Sequence, residues 1–308
     1  MTAPSDKIGL LFINFGEPDE ATPEKVEPFL ERIFLQNTGL EGHASDEAVE
    51  RARTLAKRRA PGLIEDGVER LVALPVDPIG RHSPPVEALR STRRAMDVLG
   101  WDQELVSVAG WHHHPDYRHL RAEHIARWVE ERGLDLTRED TVLYFSVHGT
   151  PVKYLEEGNR YDRYVEESCR DLAERLGTDR WAVGFQNHTN RGIPWTRPDN
   201  EDRIESLDET RLVVVPISFM REQSETLAEL DHELRAFTEE LGKEFHRVPV
   251  PWDHEAFPGI LADLVRQAVA ASREETELSR CRCSDVPDTW CTNGARDLPP
   301  SPYVPAGA

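Results

Sequence analysis

A histidine ends an apolar stretch near the middle of the chain, Leu143-Tyr-Phe-Ser-Val-His148-Gly-Thr-Pro151. The apolar residues predict a buried strand over 141–147, and Gly149 and Pro151 turn the chain immediately afterwards. Ligands of open α/β sheets bind just beyond the carboxyl ends of the strands. Because an imidazole accepts protons near neutral pH and binds metals, His148 is a candidate catalytic residue. The alternative is a histidine that only hydrogen-bonds within its own loop.

Two glutamates follow a later apolar run. That run predicts a strand over 212–217, and Glu222 and Glu225 come next, at the start of a helix predicted over 223–241. Side chains three residues apart share one helix face, and carboxylates are favoured near a helix N-terminus. The pair is therefore a candidate functional site at the start of this helix. Simple capping of the helix is the alternative.

A third candidate is the long aromatic and proline-containing loop after the strand predicted over 181–185. It includes Gln186, Trp195 and Pro198. Such a loop forms either one wall of a pocket or ordinary surface.

Alternating strands and helices position these residues. Periodicity predicts further strands at 8–15, 71–76, 104–109 and near 247–250, and helices after Pro23 and at 46–59, 85–99, 115–132, 162–176 and 254–271. This alternation indicates an α/β protein with parallel sheets covered on both faces. We expect two doubly wound domains, 1–132 and 133–253, then a helical segment 254–280 and a Cys/Pro-rich extension 281–308. The extension has little periodicity, so we expect it to be partly disordered.

Composition excludes several classes of function. The net charge of −20 argues against nucleic acid and anionic lipid as general partners. Apolar runs stay short of the roughly 20 residues that a spanning helix needs, and no cleavable signal is visible, so we expect a cytoplasmic protein. The glycine-rich nucleotide-binding motifs and the H-E-x-x-H zinc motif are absent.

Four motifs together identify a family resemblance. In chain order they are Asn14-Phe-Gly-Glu-Pro18; Phe145-Ser-Val-His148-Gly-Thr-Pro151; Phe185-Gln186 through Trp195 and Pro198; and Pro216 through Glu225-Thr-Leu to Glu229-Leu-Asp231. Their order and content resemble ferrochelatase, the enzyme that inserts ferrous iron into a porphyrin to make haem. The resemblance covers most of residues 8–270.

The resemblance implies two Rossmann-like domains with the porphyrin in the cleft between them. It places the catalytic histidine at His148 and the pocket glutamate at Glu225, both also candidate ligands of the Fe²⁺ substrate. Glu222 corresponds to an acidic residue of some relatives, whereas Gln223 replaces a pocket histidine. The implied substrate-binding residues are Asn14, Gln186, Trp195 and Pro198.

The chemistry suits these residue types. A porphyrin must lose two pyrrole N–H protons as iron enters, and His148 is a base that can take protons from one face. Glu225, with Glu222, can guide the ion or carry protons away. A chelatase for another metal or tetrapyrrole is one alternative, and a catalytically impaired relative that binds haem or senses iron is another. Protoporphyrin and coproporphyrin both remain candidate substrates, and the oligomeric state stays open.

The first half departs from the family pattern. The segment ending at Asp66 and the one beginning at Gly67 resemble parts of the family that are normally well separated. At least one strand–helix unit, on the order of 30 residues, is therefore expected to be missing between them. Leu74-Pro-Val-Asp-Pro-Ile-Gly-Arg-His82-Ser also differs from the family's aromatic motif. Both departures fall in the region where relatives contact the porphyrin.

Three consecutive histidines, His112 to His114, follow Trp111 and precede Pro115. We interpret them as a turn at a sheet end that faces the cleft. A dedicated metal site is the less favoured reading, because consecutive residues cannot all face one point.

The cysteines suggest a cofactor. Some ferrochelatases hold a [2Fe–2S] cluster with three cysteines of a C-terminal extension and one of the body. Here Cys281, Cys283 and Cys291 lie in the extension, and four ligands are usually required. The fourth is Cys169, or His82 at the position of the family's body cysteine. Alternatively, Cys169 is a buried core thiol, since it shares a helical stripe with apolar residues.

The charge balance predicts a response to salt. The chain has 57 acidic residues and only five lysines among its 37 basic ones, which suggests a salt-adapted surface, or merely an arginine-rich background. Salt screens surface charges within about 10 Å at 0.1 M, so the self-repulsion of this surface should weaken. We expect the melting temperature to rise between low salt and molar KCl in a thermal unfolding series. A flat or falling curve would favour the arginine-rich background.

Overall fold

The computed structural model describes residues 7–13, 24, 66–80, 87–156, 158–187, 193–270, 279–280, 289–291 and 302–303. Several sequence predictions fall outside this part of the chain. They are the helices after Pro23 and at 46–59, and the candidate residues Asn14, His82, Cys281 and Cys283.

The structure is an α/β fold built on parallel sheets, as predicted. The first sheet has the spatial order β1-β2-β3-β9-β8 within the described residues, with bounds β1 Ile8–Ile13, β2 Arg70–Pro75, β3 Glu104–Gly110, β8 Ser279–Arg280 and β9 Thr289–Cys291. The pairs β1–β2, β2–β3 and β3–β9 are parallel, and β8 is antiparallel to β9.

The second sheet is wholly parallel and has the order β5-β4-β6-β7. Its strands are β4 Thr141–His148, β5 Trp181–Gln186, β6 Arg211–Pro216 and β7 Glu244–Arg247. The last strand begins earlier than the prediction near 247–250. Glu244 lies opposite Arg211 and accepts a 2.8 Å hydrogen bond from its Nε. Pro249 has no backbone N–H to donate to a ladder, so the strand cannot continue through it.

Helices cover the sheets. They are α1 Glu87–Leu99, α2 Pro115–Glu131, α3 Val152–Glu156, α4 Tyr161–Arg175, α5 Asn200–Glu205, a π-helix Glu225–Leu234, α6 Arg235–Glu240 and α7 Phe257–Ala270. The helix predicted over 223–241 is therefore a π-helix over Glu225–Leu234 and an α-helix over Arg235–Glu240. The short helices α3 and α5 were not predicted, because five or six residues give too little periodicity. Among the described helices, none combines the length and apolarity needed to cross a bilayer.

The central strand β4 is buried on both faces, which explains its nearly continuous apolar sequence. Tyr144 on this strand donates a 3.0 Å hydrogen bond to the side-chain oxygen of Asn200, in the first turn of α5. Gly184 on β5 leaves room for that phenol, since a Cβ there would lie 1.9 Å from the Tyr144 hydroxyl. A buried polar contact thus positions the helix that follows the loop after β5.

The last helix returns to the first sheet. Ile260, Leu264 and Ala268 of α7 pack in one apolar cluster with Val72 and Leu74 of β2. The C-terminal segment of the chain therefore completes the core of the N-terminal sheet.

The described residues of the extension, 289–291 and 302–303, contact both sheets. Strand β9 pairs with β3 and satisfies the backbone groups of its edge. Tyr303 is buried with its ring 5.2 Å from that of Phe185, and its carbonyl accepts a 3.0 Å hydrogen bond from the Arg197 N–H.

Candidate functional site

The carboxyl ends of β4, β5 and β6 meet at one edge of the second sheet. His148, the last residue of β4, lies opposite Gln186, the last residue of β5. On the other side, Ser146 lies opposite Pro216 at the end of β6. The parallel register therefore brings together the regions of all three sequence candidates.

Hydrogen bonds hold the His148 main chain on both sides. Its N–H donates to Ser218 Oγ at 3.0 Å, and its carbonyl accepts from the Tyr161 hydroxyl at 2.9 Å. The Tyr161 and Ser218 oxygens are themselves 2.9 Å apart. Residues after β6 and at the start of α4 thus fix the histidine backbone.

The imidazole of His148 is half-buried, and its Nδ1 lies 2.7 Å from the Gly149 carbonyl oxygen. Since a carbonyl only accepts hydrogen bonds, Nδ1 is the donor, and in the neutral ring Nε2 carries the lone pair. The Phe219 ring meets the imidazole edge-on at 6.2 Å. The ring is therefore prepared to act through Nε2 as a base or ligand.

The turn after His148 has no room for a side chain at Gly149. A Cβ there would lie 1.7 Å from Asn187 Oδ1 and 3.1 Å from the Gln186 carbonyl oxygen. The Gly149 N–H donates to that carbonyl at 2.9 Å. The Asn187 side chain, with the Gln186 backbone beyond it, occupies the space of a Cβ, and no unusual backbone angle is involved.

The loop after β5, which includes Trp195 and Pro198, packs against the turn after His148. The N–H of Thr196 donates to the Thr150 carbonyl at 3.0 Å, and Trp195 itself is only 7% exposed. The Pro198 carbonyl accepts from the Phe185 N–H at 2.9 Å. The structure thus places Trp195 and Pro198 in the packing that holds the histidine loop.

Gln186 joins β5 to the π-helix. Its Nε2 donates to the Glu225 carbonyl at 2.9 Å and to Glu229 Oε2 at 3.1 Å, and its Oε1 accepts from Ser146 Oγ at 3.4 Å. One buried amide therefore connects the end of the second sheet with two glutamates of the helix.

These two glutamates differ in what their carboxylates contact. Glu225 is half-buried and accepts a 2.8 Å hydrogen bond from Ser224 Oγ. Burial raises the pKa of the Glu229 carboxyl, and the nearby Glu225 raises it further, although the Gln186 hydrogen bond opposes both effects. Glu229 was not among the candidates drawn from the sequence. The signal that could have found it is its spacing of four from Glu225, which repeats on one helix face.

Glu222 lies elsewhere, which corrects the expected pairing with Glu225 on one helix face. It precedes the helix, and its carboxylate accepts hydrogen bonds from Arg247 Nη1 at 2.8 and 3.1 Å and from the Val250 N–H at 2.9 Å. Arg247 also binds Asp231 with two contacts of 2.6 Å. Glu222 is therefore engaged by an arginine that also anchors the helix.

The three consecutive histidines face two different partners. His112 and His113 approach Glu167 on α4, whereas His114 Nε2 lies 3.1 Å from Asp263 Oδ2 on α7. As predicted, the three imidazoles do not converge on one point.

Cys169 is fully buried in the apolar core, between Val165 and Leu172 on α4. Burial raises the pKa of its thiol well above the usual range. Because metals bind the thiolate, this environment does not fit a cluster ligand. Cys291 lies in β9 with its Cα opposite that of Gly110.

Two sheets of mainly parallel strands, covered by helices and carrying His148 at the carboxyl end of a central strand, define an α/β protein with a Rossmann-like fold. The fold is similar to that of SirB from Bacillus subtilis, solved with Fe³⁺, with a TM-score of 0.51 at 10% identity over 88% of this chain and 98% of that one.

Sequence comparison defines the family. A ferrochelatase profile matches residues 35–269. The ferrochelatase of Synechococcus elongatus is 37% identical over 220 residues, covering 69% of this chain and 56% of the relative. That of Aquifex aeolicus is 26% identical over 317 residues, covering 85% of this chain and 100% of the relative. The chain belongs to the ferrochelatase family, and it spans about half the length of the cyanobacterial relative it matches.

The raised pKa of Glu229 predicts a pH-dependent gain in stability on its replacement. A carboxyl normally titrates near pH 4.3. Because the folded protein holds this proton more tightly than the unfolded chain, stability is lost as pH rises above that value. We expect Glu229→Gln to raise the melting temperature at pH 7 and to leave it nearly unchanged at pH 4. The exposed Glu240→Gln is the charge-matched control. An equal shift at both pH values would contradict the assignment.

Proposed function

We propose that this protein inserts Fe²⁺ into a porphyrin dicarboxylate, protoporphyrin or coproporphyrin, to form haem. The observation that carries the proposal is the orientation of His148, whose Nδ1 donates to Gly149 and whose Nε2 keeps the lone pair at the end of β4. Membership of the ferrochelatase family supports the same reaction.

The reaction must release two pyrrole protons for each Fe²⁺ that binds the four porphyrin nitrogens. His148 Nε2 is the base that accepts a proton, while the locked main chain keeps the imidazole in place. Glu225 guides the incoming cation. Glu229, with its raised pKa, takes up and releases protons closer to neutral pH than an ordinary carboxylate.

The remaining predicted residues act by positioning. Gln186 holds the π-helix at the sheet end through Glu225 and Glu229. Glu222 works through Arg247, because its carboxylate is already engaged in a half-buried ion pair. We therefore assign Glu222 to stability of the site rather than to proton transfer. Cytoplasmic location stays a prediction from the sequence.

Replacing the base should remove the activity. We expect His148→Ala to lower the rate of iron insertion by about 10²–10⁴-fold, and Glu225→Gln to slow it as well. The measurement follows haem absorption after anaerobic mixing of each protein with porphyrin and Fe²⁺. His119→Ala changes an exposed histidine of α2 and serves as the control.

A parental rate in His148→Ala would refute the assignment of the base. If the unsubstituted protein binds porphyrin or haem but inserts neither iron nor another divalent metal, the proposal fails in favour of a binding protein. Running protoporphyrin and coproporphyrin in parallel identifies the substrate.

The extension carries a separate proposal, a [2Fe–2S] cluster on Cys281, Cys283 and Cys291. The burial of Cys169 argues for His82 as the fourth ligand. We expect the parent protein, purified anaerobically, to contain iron and sulfide and to absorb visible light. The Cys169→Ser variant should do the same. His82→Ala should lose the cluster. Colourless protein without sulfide would exclude the cluster. Loss of the cluster in Cys169→Ser, with the cluster kept in His82→Ala, would make Cys169 the fourth ligand instead of His82.

A further inference from the structure

The turn after β3 brings two histidines to one glutamate from a distant part of the chain. His112 Nε2 lies 3.2 Å from Glu167 Oε2, and His113 Nε2 lies 2.8 Å from the same oxygen. The histidines belong to the segment between β3 and α2, whereas Glu167 lies in the middle of α4. The contact therefore joins an element of the first sheet to a helix of the second.

These three side chains are a donor set for a transition metal. One ligand atom from each lies within 4.8 Å of the other two. A zinc ion binds imidazole nitrogen and carboxylate oxygen at about 2.0–2.2 Å, so small side-chain rotations suffice to close the group around an ion. Three protein ligands leave a fourth position for water. Imidazoles with a carboxylate suit zinc, iron, cobalt or nickel rather than magnesium or calcium.

The surroundings hold the donors in place. The His112 side chain is 2% exposed, whereas those of His113 and Glu167 are about one-fifth exposed, which leaves a path to solvent. The backbone N–H groups of Trp111 and His112 both donate to the Pro78 carbonyl, at 2.7 and 2.9 Å. The Tyr164 ring lies 5.3 Å from the His112 ring.

Neighbouring contacts brace the same two elements. His114 is anchored to Asp263, and Arg118 of α2 pairs with Asp171, one turn beyond Glu167 on α4. Because Asp171 engages the Arg118 guanidinium, Glu167 remains the carboxylate directed at the two imidazoles.

We propose that His112, His113 and Glu167 form a binding site for a divalent first-row transition metal, distinct from the His148 site. Tyr161, which contacts His148, opens α4, and Glu167 follows six residues later, about 9 Å along the helix axis. A bound ion would tie the β3–α2 turn to α4 and so fasten the two sheets together. This site does not depend on the proposed iron insertion.

Metal stoichiometry tests the proposal directly. The full-length protein, stripped of metal, is dialysed against Zn²⁺ and the bound metal is counted for the parent, Glu167→Gln, His113→Ala and the control His119→Ala, which changes an exposed histidine. We expect Glu167→Gln and His113→Ala each to lose one equivalent of zinc relative to the parent and His119→Ala to keep it. Unchanged stoichiometry in Glu167→Gln and His113→Ala overturns the proposal, as does an equal loss in His119→Ala.

Spectroscopy and unfolding separate a metal site from an ion pair. Co²⁺ bound by imidazole and carboxylate gives visible absorption, which should be present in the parent and missing in Glu167→Gln. Zn²⁺ should raise the melting temperature of the parent and not that of the variant, because a ligand stabilises only a protein that binds it. If Glu167→Gln lowers stability equally with and without Zn²⁺ and retains the Co²⁺ spectrum, the group is an ion pair and the proposal fails.

Discussion

The parallel register of β4 with β5 and β6 is the constraint on which the candidate site depends. It sets His148 opposite Gln186 and places Ser218 within reach of the His148 N–H. A slip of one residue would send every side chain of the strand to the opposite face of the sheet. His148 would then lie opposite Phe185, and the amide that connects β5 to the π-helix would leave its partners. The buried, almost wholly apolar β4 makes such a slip costly, because both faces of the strand are packed.

Long-range contacts join the two sheets. The helix α7, which comes last among the described helices, covers β2 and β3, and its Asp263 meets His114 in the turn after β3. Tyr303 of the extension reaches the second sheet through Phe185 and donates a hydrogen bond to Glu166. Helix α7 therefore packs on the first sheet and Tyr303 on the second. Each sheet is covered in part by residues that lie far along the chain from its own strands.

Local apolar patterning explains which parts of the fold the sequence could predict. Buried parallel strands such as β4 and β6 are read directly as apolar runs, and His148 was found because it ends one of them. Strand β9 is not predictable from the sequence, because three residues carry no periodic pattern and its partner β3 lies far earlier in the chain. The π-helical winding is not predictable either, because periodicity indicates a helix without specifying its hydrogen-bond pattern. Glu222 was misplaced because its partner, Arg247, lies on β7 and no local pattern reveals a tertiary ion pair.

The acidic segment around the π-helix divides into groups with different electrostatics. Glu222 pairs with Arg247, and Asp231 pairs with Arg247 and, at 3.7 Å, with Arg235, so arginines offset the negative charge of both carboxylates. The Gln186 amide donates to the main-chain carbonyl of Glu225 and to the carboxylate of Glu229, and no basic partner of these two carboxylates is among the contacts described for the site. Burial beside another carboxylate then favours the protonated form of Glu229. Arginine contacts therefore act on Glu222 and Asp231, whereas burial and a neighbouring carboxylate act on Glu229. The environments of these acidic residues thus differ within one short segment of the chain.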